Sequence, residues 1–423
     1  MKHSAYSLAA LAVSRTLSGQ TLTHVLAEQD FQSSINPAAV RDMTSNALRF
    51  LGQSKVIIQK LSRQLNQDAR VEALLYIGIS QIALGRPAYA IVNAIVDACE
   101  PLNRSWAKNY TNALLRSYLR QQETLNQVIV ENELGRYNHP IWWINLLKQD
   151  WPQDWLSILS ANQTHPPMTL RTNKRRISLD EYIIMLDKAG VMTSRYENNA
   201  LILEKPQSVH NLPGFSEGLV SVQDSSAQWA AHLLDLSRGQ RILDACCAPG
   251  GKSAHILELA DVHLTGIDSD SNRLDMARST LDRLGLKAFL IKADVREIDT
   301  WWDGIPFDRI LADVPCSASG IVRRHPDIKW NRRLEDLDSF SHAQAEIMDA
   351  LWQCLAIGGK LLYATCSVFK QENANQTALF LERHPDARLL PLTKLSEKDK
   401  QLLPNAQQDG FYYALFERNA GLH

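Results

Sequence analysis

The sequence predicts a multidomain chain: an all-α bundle, then a small α+β unit, then an α/β domain on a mostly parallel sheet of about seven strands. Three observations carry this. At 423 residues the chain exceeds what one hydrophobic core usually organises. From Ala5 to about Arg120 apolar residues recur at helical spacing with few strand signals. From Arg241 onward, short apolar runs alternate with amphipathic helical stretches, the pattern of a doubly wound sheet. The boundaries read as 1–135, 136–235 and 236–423.

Bulk composition narrows the class. With 45% apolar and 22% charged residues the chain is globular rather than disordered. A formal net charge of −1 gives no whole-molecule basic field, so any nucleic-acid binding must come from local patches. Six cysteines (Cys99, Cys246, Cys247, Cys316, Cys354, Cys366) form no C-x-x-C pair, so no metal is expected. Cys99 and Cys354 read as small buried hydrophobes. At the N-terminus, Ser4, Ser7 and Ser14 interrupt a short apolar run that continues as a helical pattern, which reads as a first helix rather than a signal peptide. No stretch reaches transmembrane length, and a cytoplasmic monomer without membrane contact is the expectation.

In the first third, Val71, Leu74, Leu75, Gly78, Ile79 and Ile82 mark one helix, Gly85-Arg86-Pro87 stops it, and Ala88 to Ala98 opens another with a broad apolar face. No His, Cys or carboxylate cluster converges here, so chemistry is not expected. The stretches LLYIGISQI, IVNAIVDAC and KNYTNALLRSYLR resemble the helical RNA-binding domain of the NusB family, which implies RNA contact for roughly the first quarter of the chain. Arg104, Lys108, Arg116 and Arg120 read equally well as the solvated face of a helix.

The polar stretch Glu131 to Pro140, with Gly135, reads as a linker. Beyond it Trp142, Trp143, Trp151 and Trp155 fall at helical spacing, as buried rings do. AGVMTSRY and NALILEK read as strands around the helical SLDEYIIMLDKAG. The run TLRTNKRR offers Arg171, Lys174, Arg175 and Arg176 to RNA phosphates, and Arg323 and Arg324 join them as candidates further on. Ser225 to Gln228 looks like a capping box opening the helix AQWAAHLLDL.

The C-terminal domain opens with the strand RILDA, the turn Cys246-Cys247-Ala248-Pro249-Gly250-Gly251-Lys252 and the helical SAHILELA. Strand, glycine turn, helix is a nucleotide-binding opening, yet G-x-G-x-x-G is missing. That fingerprint brings a pyrophosphate against backbone amides, so its absence favours a cofactor with adenosine and no phosphate, and S-adenosylmethionine fits. Asp268 ends the next strand 24 residues after Asp244, near the ~20-residue interval for a ribose-gripping carboxylate. Asp294 ends the third strand, placed for the adenine edge, and Asp313 ends the fourth. Past Asp313 comes Val-Pro-Cys316, then a long helix reaching Ile357, and Gly358-Gly359 turns the chain into a fifth strand that delivers Cys366. ARLLPL and DGFYYALFER close the sheet, the last strand antiparallel. Both cysteines sit just past strand ends, so two thiols can meet over one pocket.

DACCAPGGK, DVPCSASGIVRRHPDIKW and YATCSV, with the NusB-like front, resemble the Sun (RsmB) family of 16S ribosomal RNA (cytosine-5) methyltransferases over essentially the whole chain. The resemblance implies a Rossmann-like class I methyltransferase domain, with Cys366 as nucleophile and Cys316 assisting product release. It also puts Cys246 to Lys252, Asp268, Asp294 and Asp313 on cofactor motifs; Cys247 stands where alanine is more usual. The chemistry agrees: carbon 5 of cytosine becomes reactive once a thiolate adds at carbon 6, and Asp313 is suited to stabilising that adduct. Spacing alone leaves the order of the thiols open, since in DNA cytosine-5 methyltransferases the P-C cysteine attacks. Transfer RNA as substrate, and a non-catalytic NusB-like regulator that merely binds cofactor, are the rival readings; amino-group methylation of adenine calls for an aromatic where Cys316 stands.

Overall fold

A computed structural model describes residues 3–34, 36–62, 68–392 and 400–420. The chain divides into two compact units, one running to His165 and taking in Val322–Leu334, the other comprising Pro166–Ile321 and the chain from Glu335 onward.

The first unit is helical. Its centre is Ala69–Ala83, in which residues from Val71 to Ile82 are almost all buried, capped by the Asp68 carboxylate on the amides of Arg70 and Val71. Gly78 lets neighbours close in: a Cβ there would stand 3.0 Å from the Leu115 side chain and 3.3 Å from that of Ile95. Ala5–Leu17, Pro37–Arg49, Leu51–Leu61, Ala88–Ala98 and Lys108–Arg120 pack around one apolar core. The stretch expected as a linker is not one. Glu133–Tyr137 is a helix, capped by the Asn132 side chain, and its Leu134 carbonyl closes on Gly52. The same unit continues through Ile141–Asp150 and Trp155–Gln163; Trp143 is fully buried and Trp142, Trp151 and Trp155 partly so.

Val322–Leu334 completes this unit. Helix Pro37–Arg49 ends with carbonyls that have no partner inside the helix. Trp330 Nε1 donates to the Leu48 carbonyl at 2.6 Å, and Lys329 Nζ to that of Arg49 at 3.0 Å, while burial, with Arg49 beside it, pushes the Lys329 amine well below its ordinary value. Arg49 in turn donates to the Arg323 carbonyl at 2.9 Å, and Asp327 accepts the Leu22 amide at 3.0 Å.

The second unit holds two sheets. The smaller contains β1 (Met168–Thr172), β2 (Thr193–Arg195), β3 (Leu201–Leu203) and β4 (Val220–Val222), all antiparallel in the order β2-β3-β1-β4. Helix Leu179–Lys188 carries a capping box from Ser178 and Glu181. The box expected at Ser225–Gln228 is instead a single cap: Asp224 accepts the Ser226 amide, so Ser225–Leu233 starts one residue earlier than an Ncap at Ser225 would set it.

The larger sheet contains β5 (Arg241–Asp244), β6 (His263–Asp268), β7 (Phe289–Lys292), β8 (Phe307–Asp313), β9 (Leu355–Thr365), β10 (Ala387–Leu390) and β12 (Phe411–Arg418), ordered β10-β12-β9-β8-β5-β6-β7, with β11 (Gln401–Leu402) paired to β12. The five strands β5 to β9 are mutually parallel and β12 runs antiparallel to β9. Strand order reverses between β5 and β8, a switch point where such sheets open a crevice at the carboxyl ends. The helix expected to reach Ile357 is Asp336–Gln353; β9 starts at Leu355, paired with Phe307 of β8, and Gly358-Gly359 lie inside the strand.

Candidate active site

At the switch point the chain leaves β5 through the glycine turn. Gly250 holds φ +93°, its amide donates to the Cys247 carbonyl at 2.8 Å, and a Cβ there would stand 3.0 Å from the Ala277 backbone. Only glycine meets both demands. Helix Gly251–Leu259 then starts beside the strand ends. A cleft opens there, lined by Cys246, Asp268 and Asp294 with the apolar Val295, Pro315 and Ile347. Of the vicinal cysteines it is Cys246 that lines it; Cys247 is buried and packs on Gly266 of β6.

Each strand-end aspartate has a distinct setting. Asp268 is buried and accepts the amides of Ala248 at 3.3 Å and Asp270 at 3.1 Å. Asp294 is gripped by Arg296, with contacts down to 2.6 Å that hold its carboxyl below the usual range. Asp313 accepts Lys252 Nζ at 2.5 Å. Burial works against the Lys252 ammonium, but Asp313 outweighs it and leaves the amine above its ordinary value, with the field of Cys366 adding to the effect.

The two thiols meet. Cys316 Sγ, past β8, and Cys366 Sγ, past β9, are 3.4 Å apart. The contact with Cys366 and burial both push the Cys316 thiol well up. Ala318 sits at φ +61°, a left-handed conformation costly for a residue with a Cβ, and Gly320 closes the loop by donating to the Cys366 carbonyl at 2.8 Å. Sequence reasoning did not single out Asp244, whose carboxylate accepts Ser253 Oγ at 2.6 Å beneath the turn, although it ends a strand as Asp268 does. It also passed over Arg273, which donates to the Ala248 carbonyl at 2.7 Å.

The basic residues divide. Arg171 is a correction: it is 4% exposed, its guanidinium paired with both oxygens of Glu258 at 2.9 Å and donating to the Gly251 carbonyl at 2.9 Å, so it has no donor face for a phosphate. Arg323 is likewise buried, at 1% exposure, and Arg324 is half-buried. Lys174, Arg175 and Arg176 are exposed; Arg175 reaches the Ala260 carbonyl and Asp261, and Arg176 the Glu217 carbonyl. In the helical unit Arg104 pairs with Asp68 and Lys108 with Glu100. Among the described residues no three His, Cys, Asp or Glu side chains converge as a metal site, and no helix is long and apolar enough to cross a membrane.

A glycine turn, a buried strand-end carboxylate, an apolar cleft wall, and a buried oxygen of Asp244 without a hydrogen-bond partner among the described residues suit S-adenosylmethionine, whose ammonium and hydroxyls need acceptors and whose adenine needs an apolar slot. On this fold such a cleft defines an S-adenosylmethionine-dependent methyltransferase, and the pair of thiols beside it points to attack on a pyrimidine ring.

Family-level matches fall on residues 231–417 (16S rRNA methyltransferase RsmB/F), 139–210 (the ferredoxin-like domain of RsmF/B-like methyltransferases) and 4–120 (NusB family). The ribosomal RNA small subunit methyltransferase B of Vibrio cholerae is 43% identical over 397 residues, covering 92% of this chain and 91% of its own. That of Pseudomonas putida is 45% identical over 357 residues, 82% of each. The crystal structure of PH0851 superposes with a TM-score of 0.81 over 99% of this chain and 100% of its own at 22% identity, a likeness of fold. The chain belongs to the RsmB/F family of methyltransferases and is an S-adenosylmethionine-dependent RNA methyltransferase.

Proposed function

We propose that this enzyme methylates carbon 5 of one cytosine in 16S ribosomal RNA through a covalent cysteine–cytosine adduct, acting as a cytoplasmic monomer. The observation that carries the reading is the 3.4 Å approach of Cys316 and Cys366 beside the Lys252–Asp313 pair. Residues 236–423 carry the chemistry, while 1–135 and 136–235 engage RNA, with Lys174, Arg175 and Arg176 as exposed cations just past β1. Cys246 to Lys252, Asp268 and Asp294 hold the cofactor, and S-adenosylmethionine supplies an electrophilic methyl group.

Cys366 adds to carbon 6 as a thiolate and turns the ring into an enamine nucleophilic at carbon 5. Lys252 lies within electrostatic reach of Cys366. Asp313 holds Lys252 in place at 2.5 Å and, sharing a proton with the ring, stabilises the adduct as it forms. Cys316 stays protonated while Cys366 is free, because their contact is the largest influence raising it. After methyl transfer the carbon-5 proton leaves to a water beside Cys316, or to Cys316 once its own proton has passed to that water. Elimination then frees Cys366. The target base must be reached unpaired or drawn out of its stack.

Incubating the purified enzyme with 16S ribosomal RNA and with bulk transfer RNA, each with labelled S-adenosylmethionine, tests the substrate. Label in ribosomal RNA, located as 5-methylcytosine by bisulfite sequencing, is expected; label in transfer RNA alone moves the substrate, and none in either reduces the chain to a binder. On denaturing gels Cys366→Ala is expected to abolish the protein–RNA adduct and Cys316→Ala to accumulate it. The opposite pattern exchanges the roles.

A further inference from the structure

Glu372 is fully buried, at the end of the short turn Lys370–Glu372 that follows β9. Its Oε1 accepts the Ser317 amide at 2.7 Å, and its Oε2 accepts both Ser317 Oγ and Ser367 Oγ at 2.6 Å. Those serines directly follow Cys316 and Cys366 in the chain. Gln344 donates to Oε1 at 3.3 Å and also to the carbonyl of Pro315, the residue before Cys316, at 3.0 Å. The Tyr363 hydroxyl, with its one hydrogen, donates to the Glu372 carbonyl at 2.6 Å and lies 3.1 Å from the alternative acceptor Gln344 Oε1, tying the network to β9 itself.

A carboxylate held in this way is an expensive choice for stability. Every side-chain donor named is neutral, and burial pushes the carboxyl above its ordinary value. A buried charge without a counter-ion costs more than an amide or an apolar side chain of similar shape, so packing alone gives no reason for it. What the carboxylate adds is geometry. Two rigidly spaced oxygens accept from two loops that descend from different strands, and bonds to an ionised acceptor are shorter and stronger than neutral ones. Other bonds also join the loops, Gly320 N to the Cys366 carbonyl at 2.8 Å and Ser319 Oγ to Ser367 Oγ and the Val368 amide at 2.9 Å, but only Glu372 gives the residues directly after both cysteines one shared acceptor.

We infer that Glu372 is a positioning residue: it holds the Cys316 and Cys366 loops on one carboxylate and so sets the separation of the two thiols through addition and release. The inference rests on the two-thiol reading above. Glu372 touches neither reacting sulfur in the contacts described and acts through Ser317 and Ser367.

The test uses the full chain carrying Glu372→Gln, which keeps shape and removes the acceptor of two hydroxyls. Active enzyme is counted by S-adenosylmethionine binding, and adduct formation and release on substrate RNA are followed in a single turnover. A fall in kcat of about 100-fold is expected, as for reacting groups displaced by about 1 Å. KM for RNA is expected to stay within about 3-fold, because ground-state binding is not touched. A variant that melts earlier yet forms and releases adduct at the wild-type rate per active enzyme has lost only structure, and that result overturns the inference. Should Glu372→Gln fail to fold, Ser317→Ala combined with Ser367→Ala removes the donors and leaves the carboxylate; the same loss is expected, and wild-type rates refute it. Cys366→Ala and Cys316→Ala run alongside. If they reverse, the thiol reading falls and takes the role of Glu372 with it; if they behave as expected while Glu372→Gln is unimpaired, only the inference about Glu372 falls.

Discussion

Asp244 ends β5 with its carboxyl fully buried, one oxygen accepting Ser253 Oγ at 2.6 Å and the other without a hydrogen-bond partner among the described residues. Burial is the main influence on it, partly offset by Ser253 and reinforced by the nearby Asp313, and the carboxyl is pushed up to about 7 from 3.8. Between those two values the folded chain holds a proton that the unfolded chain has released, so stability is full below the lower one and falls as pH rises through the upper. Asp244→Asn mimics the protonated carboxyl and removes this loss. Urea unfolding of cofactor-free protein from about pH 4 to about pH 8 is expected to show wild type losing ground to the variant by up to about 1.4 kcal/mol per pH unit. Parallel profiles would mean that Asp244 is ionised in the fold across that range. The sequence offered Asp244 with the same signature as Asp268, a carboxylate closing an apolar run. What it lacked was the wall of tertiary contacts that buries both Asp244 oxygens and turns Asp268 toward the cleft. The thiols teach the same distinction: their places past β8 and β9 follow from local pattern, whereas their 3.4 Å separation depends on how two loops far apart in the chain meet.

At the scale of elements, β1 and helix Gly251–Leu259 are joined by the Arg171–Glu258 pair, with side chains only 4% and 1% exposed. A buried ion pair contributes little net stability, but removing one partner strands the other. Arg171→Met is expected to destabilise by about 3–5 kcal/mol, and adding Glu258→Leu to recover most of it, measured as urea midpoints at constant slope. If the double variant is no better than the single, the cost lies in the bonds that Arg171 donates to the Gly251 carbonyl and to Gln223 Oε1 rather than in a stranded charge. TLRTNKRR reads as one basic run, but β1 ends at Thr172, so Arg171 belongs to a strand with its side chain turned inward while Lys174, Arg175 and Arg176 lie past the strand end in solvent. Which elements exist was legible because periodicity is local. Their ends were less so, because pairing decides them: β9 begins at Leu355 since that residue meets Phe307, whatever Gly358-Gly359 suggests.

Across the whole molecule a linear division into consecutive segments has no way to express Val322–Leu334, which belongs with the helical unit although it follows β8 by only a few residues. From sequence, Arg323 and Arg324 stand seven and eight residues after Cys316 and read as RNA-binding candidates; in the fold the segment is the missing C-terminal partner of helix Pro37–Arg49. Trp330 is the anchor, packed against the helical core and lying under the Lys55 ammonium, 5.4 Å from the ring centre, as well as donating to Leu48. Two losses can therefore be separated. Trp330→Phe keeps a ring and removes the donor, leaving the Leu48 carbonyl unpaired, and is expected to cost about 1 kcal/mol. Trp330→Ala also empties the space of the ring, for about 3 kcal/mol in a half-buried setting. Guanidinium unfolding of the full chain, with hydrogen exchange read on helix Ala69–Ala83, measures both. Equal losses would assign the whole contribution to the single hydrogen bond, and no protection change on that helix would show that the segment is not part of the helical unit's cooperative core.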